Sequence, residues 1–297
     1  MTADGELASA GRPDAHARSL WARLLPRSLR RSPLAVAALI TVAVWLALAV
    51  LAPLIAPYGP LQQDIAQRLQ PPSAAHWLGT DPLGRDILSR ILYGAHISIA
   101  IGLAAVALAA SVGTVIGMVS GYAGGLVDEL IMRITDLMLS FPTVILAMVI
   151  SAALGAGIQN AIIAILVAWW PLYARLVRGL ALAEREREYV VAATAIGATS
   201  GRIIARHIFR NIVAPIIVVG SLDIGRAILL FATLSFLGLG APPDVAEWGA
   251  MVALGQGYFN QWWIAAFPGL AILTLVLAFN IVGDTLRDVL DPRFRRE

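Results

Sequence analysis

The sequence predicts an all-α polytopic membrane protein with six transmembrane helices, and three observations carry that prediction. Of the 297 residues, 59% are hydrophobic and only 14% are charged, against roughly 25% charged in a soluble domain. Six stretches are long and apolar enough to cross a bilayer as helices, which takes roughly 20 residues each. The arginines, finally, are unevenly shared between the segments that join those stretches. The mean hydropathy of +0.77 agrees.

The expected spans follow in order. The first runs from Leu34 to Ile55 and is closed by Pro53 and Pro57. The second runs from Ile97 to Val119 and is rich in Ala and Gly. The third covers Leu137 to Leu154. The fourth covers Ile158 to Val177 and holds Pro171, read as a kink. The fifth runs from Ile212 to Leu234 and the sixth from Ile264 to Val282. An Arg-rich tail, residues 1–33, precedes the first span and does not read as a cleaved signal peptide. Residues 34–56 form the first span, 57–95 an insert, 96–286 a five-helix core, and 287–297 a tail.

Arginine placement sets the expected orientation. The N-terminal tail holds six arginines. Arg133 lies between spans two and three. Seven more, from Arg175 to Arg210, lie between spans four and five or at their ends, and four follow the sixth span. The opposite side has only Arg68, Arg85 and Arg90. The positive-inside rule then places both termini in the cytoplasm and the insert outside the cell membrane. A net charge of +3 is thereby explained by membrane orientation, with no need for nucleic acid as a partner. Trp248, Trp262 and Trp263 read as an interfacial aromatic belt.

Several chemistries are excluded. The chain has no cysteine, so it has no disulfide, thiolate metal site or thiol nucleophile. All 22 basic residues are arginine, so a lysine-bearing P-loop cannot form. If ATP with its magnesium drives this protein, another chain binds them, and this chain carries no cofactor. His16, His76, His96 and His207 lack metal-ligand spacing and read as polar loop residues. No nucleophile elbow is present. A membrane-embedded enzyme is therefore disfavoured.

Two features remain. Between spans four and five, residues 184–207 read as a helix, a turn and a second helix. Glu184, Glu186 and Glu188 suit a helix N-terminus, and Tyr189 follows them. Ala192, Ala193 and Ala195 offer a small-residue surface. Gly197 suits a left-handed cap, and Thr199 or Ser200 a cap for a second short helix near Arg202. The competing reading is an amphipathic linker on the membrane surface. Asp223 and Arg226, inside the fifth span, are spaced to pair on one helix face. They either line a watery path and contact cargo or form a structural pair.

The 184–207 stretch resembles the coupling loop of binding-protein-dependent ATP-binding-cassette (ABC) importer permeases. Three further runs resemble the dipeptide and oligopeptide permeases, in particular their C-type subunit. These are His76-Trp-Leu-Gly-Thr-Asp-Pro-Leu-Gly-Arg-Asp86 continuing to Gly94, Leu234-Ser-Phe-Leu-Gly-Leu-Gly240 with Glu247-Trp-Gly-Ala-Met251, and Gly283-Asp-Thr-Leu-Arg-Asp288 continuing to Arg293. Three positions depart from that pattern: Val191 and Phe231 replace glutamates, and Arg210 replaces a proline.

The resemblance implies a type I importer permease that works by alternating access. Its implied partners are a homologous second permease, two ATP-binding subunits, an extracytoplasmic binding protein and membrane lipid. Glu188, Tyr189, Ala192, Ala193, Ala195, Gly197 and Arg202 would then form the ATPase-coupling site. The implied cargo is di- or oligopeptides, with nickel, glutathione or haem as non-peptide-importer alternatives within the family. The rival from another class is an ion-coupled secondary carrier that uses Asp223 and Arg226 as its ion site. The insert 57–95 reads either as a contact for the binding protein or as a packing collar. Within it, residues 80–94 read as an amphipathic entry to the second span, with Ile87, Leu88, Ile91 and Leu92 on one face.

Overall fold

Caps and apolar runs set where the helices begin. The computed structural model describes residues 32–290. The expected tails, His16 and the last residues of the Gly283–Arg293 run therefore lie wholly or partly outside the described residues. Helix α1 (Pro33–Ile55) starts at Ser32, whose hydroxyl accepts from the Ala35 amide, with Pro33 in the first turn. Proline suits that position because its missing N–H would have no helical partner there. The helix runs through Pro53 rather than stopping at it.

Helix α2 (Ile87–Ala123) begins ten residues before the expected second span, capped by the Asp86 carboxylate on Ser89 N at 2.8 Å. The last residues assigned to the insert thus belong to a helix. Ile87, Ile91 and Leu92 are buried as the amphipathic reading requires, while residues 80–86 form a tight loop ahead of the helix.

Helix α5 (Ile158–Arg185) runs alongside α2 in the same direction and is continuous through Pro171. Gly113, Gly117 and Gly121 lie on the contact. A Cβ at Gly113 would meet the Tyr173 Cβ at 2.5 Å, and one at Gly117 would meet the Ala174 carbonyl oxygen at 2.5 Å. Without a hydrophobic force between helices in lipid, such backbone-to-backbone packing is a main source of association.

The third expected span is a correction. The segment folds as two helices, α3 (Gly125–Leu139) and α4 (Thr143–Leu154), bent by 91° at the break that contains Pro142. Proline lacks the N–H to continue the ladder and restricts the residue before it. Alone, α4 is about 18 Å long at 1.5 Å per residue, short of a roughly 30 Å hydrocarbon core. The chain must still cross here. Tyr122, at the end of α2, accepts a bond from Arg185 at the far end of α5, so α3 and α4 together return the chain to where α5 begins. Five helices are long enough to span, and the bent pair makes the sixth crossing. Arg133, expected in a loop, lies within α3.

Helices α6 (Glu188–Ala195) and α7 (Ser200–Arg202) follow. A π-helical segment, Ile203–Ile208, then leads into α8 (Phe209–Phe236). The fifth span is therefore longer than expected: Ser200–Phe236 is one 37-residue helical run. Short α9 (Trp248–Gly255) and long α10 (Trp263–Leu290) complete the bundle. The insert, α9 and the start of α2 share one end of the bundle, here the insert end. Helices α6 and α7 share the opposite, elbow end.

Candidate functional site

At the elbow end, α6 stops in a Schellman motif. Ala198 N donates to Ala193 O at 3.0 Å and Gly197 N to Thr194 O at 3.0 Å. Gly197 has φ +83°, a left-handed conformation that costs glycine nothing and other residues a Cβ clash. The Gly197 cap is as the sequence suggests. Thr199 takes the N-cap position of α7, but through backbone geometry and its carbonyl, with no side-chain bond. The expected second short helix is not separate, because α7 merges through the π segment into α8.

The small-residue surface divides. Ala193 is buried with Val190 against Ile203, Ile208, Ile212 and Ala181. Ala192 and Ala195 face outward with Val191, which is 59% exposed, and Ile196, 86% exposed. Glu188 lies in the first turn of α6, where a carboxylate favours the helix dipole. Glu184 and Glu186 sit instead at the C-terminal end of α5. Glu184 has another partner: it accepts from the Tyr189 hydroxyl, which in turn accepts from Asn211 Nδ2 at 2.7 Å. That triangle ties α5, α6 and α8 together. Partial burial and then the Glu184 carboxylate hold the Tyr189 hydroxyl above its usual pKa, so it stays protonated as the donor. Arg202 closes α7 as an exposed residue.

Asp223 and Arg226 do pair, at 3.2 Å. They are not equivalent. The Asp223 side chain is 9% exposed and Arg226 is 71% exposed. A third group, absent from the sequence reading, completes the arrangement: the Tyr173 hydroxyl on α5 donates to Asp223 Oδ2 at 2.8 Å. No spacing rule links residues 50 apart, although a tyrosine buried among small apolar residues needs a hydroxyl partner. Asp223 and Arg226 line a cavity of about 340 Å³ with Thr143, Trp169, Leu172 and Thr233.

The insert end is built from buried charge. Asp81 accepts from Arg85 Nε at 2.5 Å and from the Leu83 and Arg85 amides. Arg90 donates to Pro60 O at 3.1 Å and to Val245 O at 3.3 Å, with Asp81 3.9 Å from its Nε. Gly84 has φ +70°, and a Cβ there would fall 1.7 Å from Asp64 O. His76, read from sequence as a polar loop residue, is instead buried, with Asp86 at 2.9 Å and Gln67 at 2.8 Å. Among the described residues, no cluster of three His, Asp or Glu could hold a metal.

The aromatic belt is also corrected. Trp248 is fully buried and donates to Ile91 O at 3.0 Å, and Trp263 is buried and donates to Thr80 O. Of the three, only Trp262 is exposed. Tryptophan N–H groups seek a partner when buried, and here both find backbone carbonyls, Trp248 tying α9 to α2 and Trp263 tying α10 to the insert.

Comparison with known proteins places this architecture. Residues 113–296 match the family described as binding-protein-dependent transport system inner membrane component. Residues 19–72 match the N-terminal TM domain of oligopeptide transport permease C. The chain is 48% identical over 289 residues to the "Probable D,D-dipeptide transport system permease protein" of Escherichia coli (strain K12), covering 97% of each chain. It is 44% identical to the dipeptide transport system permease protein of Alkalihalophilus pseudofirmus, over 91% of this chain and 89% of that one. It is 42% identical to the glutathione transport system permease protein of Pectobacterium atrosepticum, over 95% and 94%. With a broken six-crossing bundle, a capped elbow between the fourth and fifth crossings and these matches over nearly its whole length, the chain belongs to the binding-protein-dependent transport permeases, as a multi-pass membrane subunit with the type I ABC importer permease fold.

Proposed function

We propose that this chain moves di- or oligopeptides across the cytoplasmic membrane as one of two homologous permeases, driven by two separate ATP-binding subunits that bind the ATP and magnesium. An extracytoplasmic binding protein delivers the cargo. The two dipeptide permease relatives support the peptide class. The arginine asymmetry supports termini and elbow in the cytoplasm. In that orientation the insert faces the binding protein, and α6 faces the ATPases.

One observation carries the coupling role. The second arm of the elbow, from Ser200, is helically continuous with the cavity residues Asp223 and Arg226, since Ser200–Phe236 is a single run. From Arg202 to Arg226 is about 36 Å at 1.5 Å per residue. Closure of the ATPase pair displaces α6, whose outward Val191, Ala192, Ala195 and Ile196 form the contact. The Tyr189–Glu184–Asn211 triangle holds α6 to α5 and α8, so both helices move with it. A packed bundle answers such a displacement by switching between two arrangements rather than by bending smoothly. Coupling requires that ATP-bound and ATP-free partners differ in their affinity for the two arrangements. An ion-coupled carrier has no use for an outward apolar elbow on a capped turn.

The test is purification from native membranes through a C-terminal tag, for the wild type and Gly197→Pro. Proline cannot adopt φ +83°. The expected result is loss of the ATPase pair with the second permease retained, and loss of ATP-dependent dipeptide uptake. Wild-type protein that brings down no ATPase and transports on an ion gradient would put the carrier in place of the importer.

A further inference from the structure

We propose that Arg226 is a specificity-determining residue that reads the free carboxylate of the cargo, with Asp223 and Tyr173 as its positioning residues. This rests on the peptide-importer reading above and deepens it.

The argument starts from cost. A guanidinium inside a membrane span is expensive and is kept where it faces a water-filled path or a partner. Position 226 lies ten residues from the end of α8, about 15 Å along the helix. Asp223 answers the charge but engages only Nη1, at 3.2 Å. A guanidinium has five N–H donors in a planar fork. The side chain is 71% exposed and lines the cavity, and beyond Asp223 its guanidinium has no hydrogen-bond partner among the described residues. Among the described residues no other carboxylate lies within ion-pair distance of Arg226.

Geometry then separates a built site from an incidental ion pair. Asp223 is buried and its two oxygens are divided: Oδ1 takes Arg226 and Oδ2 takes the Tyr173 hydroxyl. Tyr173 is itself buried in the α2–α5–α8 core. The aspartate is thereby fixed from a second helix, and it holds one terminal nitrogen, Nη1, of the guanidinium. A surface pair would leave both partners mobile and both exposed. Here the anion is spent inward and the cation is presented outward. The lining beyond it is apolar (Trp169, Leu172, Leu229) with the hydroxyl-bearing Thr143 and Thr233 at its edge. An open volume of about 340 Å³ accommodates the end of a small peptide. The ligand chemistry that fits a planar guanidinium engaged at Nη1 alone is a carboxylate, held by two parallel N–H donors. A peptide with a free C-terminus supplies one.

The experiment uses the complete transporter in proteoliposomes with its binding protein. Uptake of Ala-Ala is compared with uptake of Ala-Ala amide, each at a concentration shown by equilibrium dialysis to saturate the binding protein. Saturation removes the binding protein's own preference from the comparison. The expected wild-type ratio favours the free acid by about tenfold or more, the size of a charge-assisted bond. Arg226→Gln should bring the ratio towards one by lowering Ala-Ala uptake, Arg226→Lys should restore part of it, and Tyr173→Phe should lower it to an intermediate value. An unchanged ratio in Arg226→Gln would overturn the proposal. So would loss of the second permease on purification of that variant, which would assign Arg226 to a carboxylate of the partner subunit. Absence of ATP-dependent uptake of either compound by the wild type would instead remove the peptide-importer reading, and this inference with it.

Discussion

The two ends of the bundle are built on opposite plans. At the insert end, Asp81, Arg85, Asp86, Arg90 and His76 are all buried, and every one has partners. Trp248 and Trp263 spend their N–H groups on carbonyls of distant segments. At the elbow end, α6 is an eight-residue helix with one buried edge and an outward apolar edge. Its tie to the bundle is the small Ile203–Ile208–Ala193 cluster and the partly exposed Tyr189 triangle. Buried charge networks are costly unless complete, and when complete they hold a single arrangement. Sparse packing and exposed backbone mark the regions that open or move at low cost. The contrast fits the proposed coupling, in which the insert end is the fixed frame and the elbow the moving part.

Removing a charge from the fixed end should have the largest effect. Asp81→Ala leaves two buried guanidiniums, Arg85 and Arg90, without their shared carboxylate and orphans the Leu83 and Arg85 amides. Breaking a buried pair from one side costs about 3–5 kcal/mol. The expected outcome is a large fall in the melting temperature of the detergent-purified protein and in its yield from membranes. A melting temperature equal to wild type would erase the distinction between the two ends.

Much of this was legible in the sequence, and the failures have physical causes. The long spans were, because a run such as Pro33–Ile55 carries its own apolar signal and its own caps. So was Gly197, since a glycine after a small-residue helix has few other uses. The broken third crossing was not. Hydropathy averages over Leu137–Leu154 and is blind to the 91° bend within it. The insert was left open between a docking surface and a packing collar, and His76 was misread as loop polarity, because the partners of such groups, Asp86 and Gln67 for His76 and Pro243 O and Val245 O for Arg85 and Arg90, are set by the folded insert and by distant backbone. Tyr173 was missed for the same reason: its partner Asp223 is 50 residues away. The Gly197 cap and the Asp223–Arg226 spacing were read correctly from local signals; Pro53, Pro142 and the placement of Glu184 and Glu186 were not, nor were partners brought together only by tertiary packing.

Glu247 sharpens the contrast by pH. It caps α9, accepting from Gly249 N and Ala250 N at 2.9 Å each, and also accepts from Ser98 Oγ at 3.3 Å. Burial is the largest influence and pushes its carboxyl above the usual range, against the pull of those donors. A carboxyl with a raised folded pKa favours the folded state most when protonated. Its contribution is therefore present below the ordinary glutamate pKa and is lost as pH rises through the folded value. The melting temperature of the wild type relative to Glu247→Gln should fall across that interval, and the difference should level off above it. A difference that rises with pH would reverse the assignment of burial as the dominant influence.

The smallest effect on stability is expected where the effect on function is large. Ile196 is 86% exposed and follows the last residue of α6. Ile196→Ser removes no packed contact and alters neither the Gly197 cap nor the buried Ala193 edge. Exposed substitutions of this kind fall within about 0.5 kcal/mol of wild type, so the melting temperature should be unchanged. The same change removes an apolar anchor from the face that, in the proposed assembly, meets the ATPase pair. Retention of those subunits on purification, and ATP-dependent uptake with it, should drop while the second permease stays bound. The two readouts move separately only if the elbow's outward face exists for a partner. A variant that lost stability along with retention would mean that Ile196 holds the elbow itself together, and the moving end would then be built on the same plan as the fixed one.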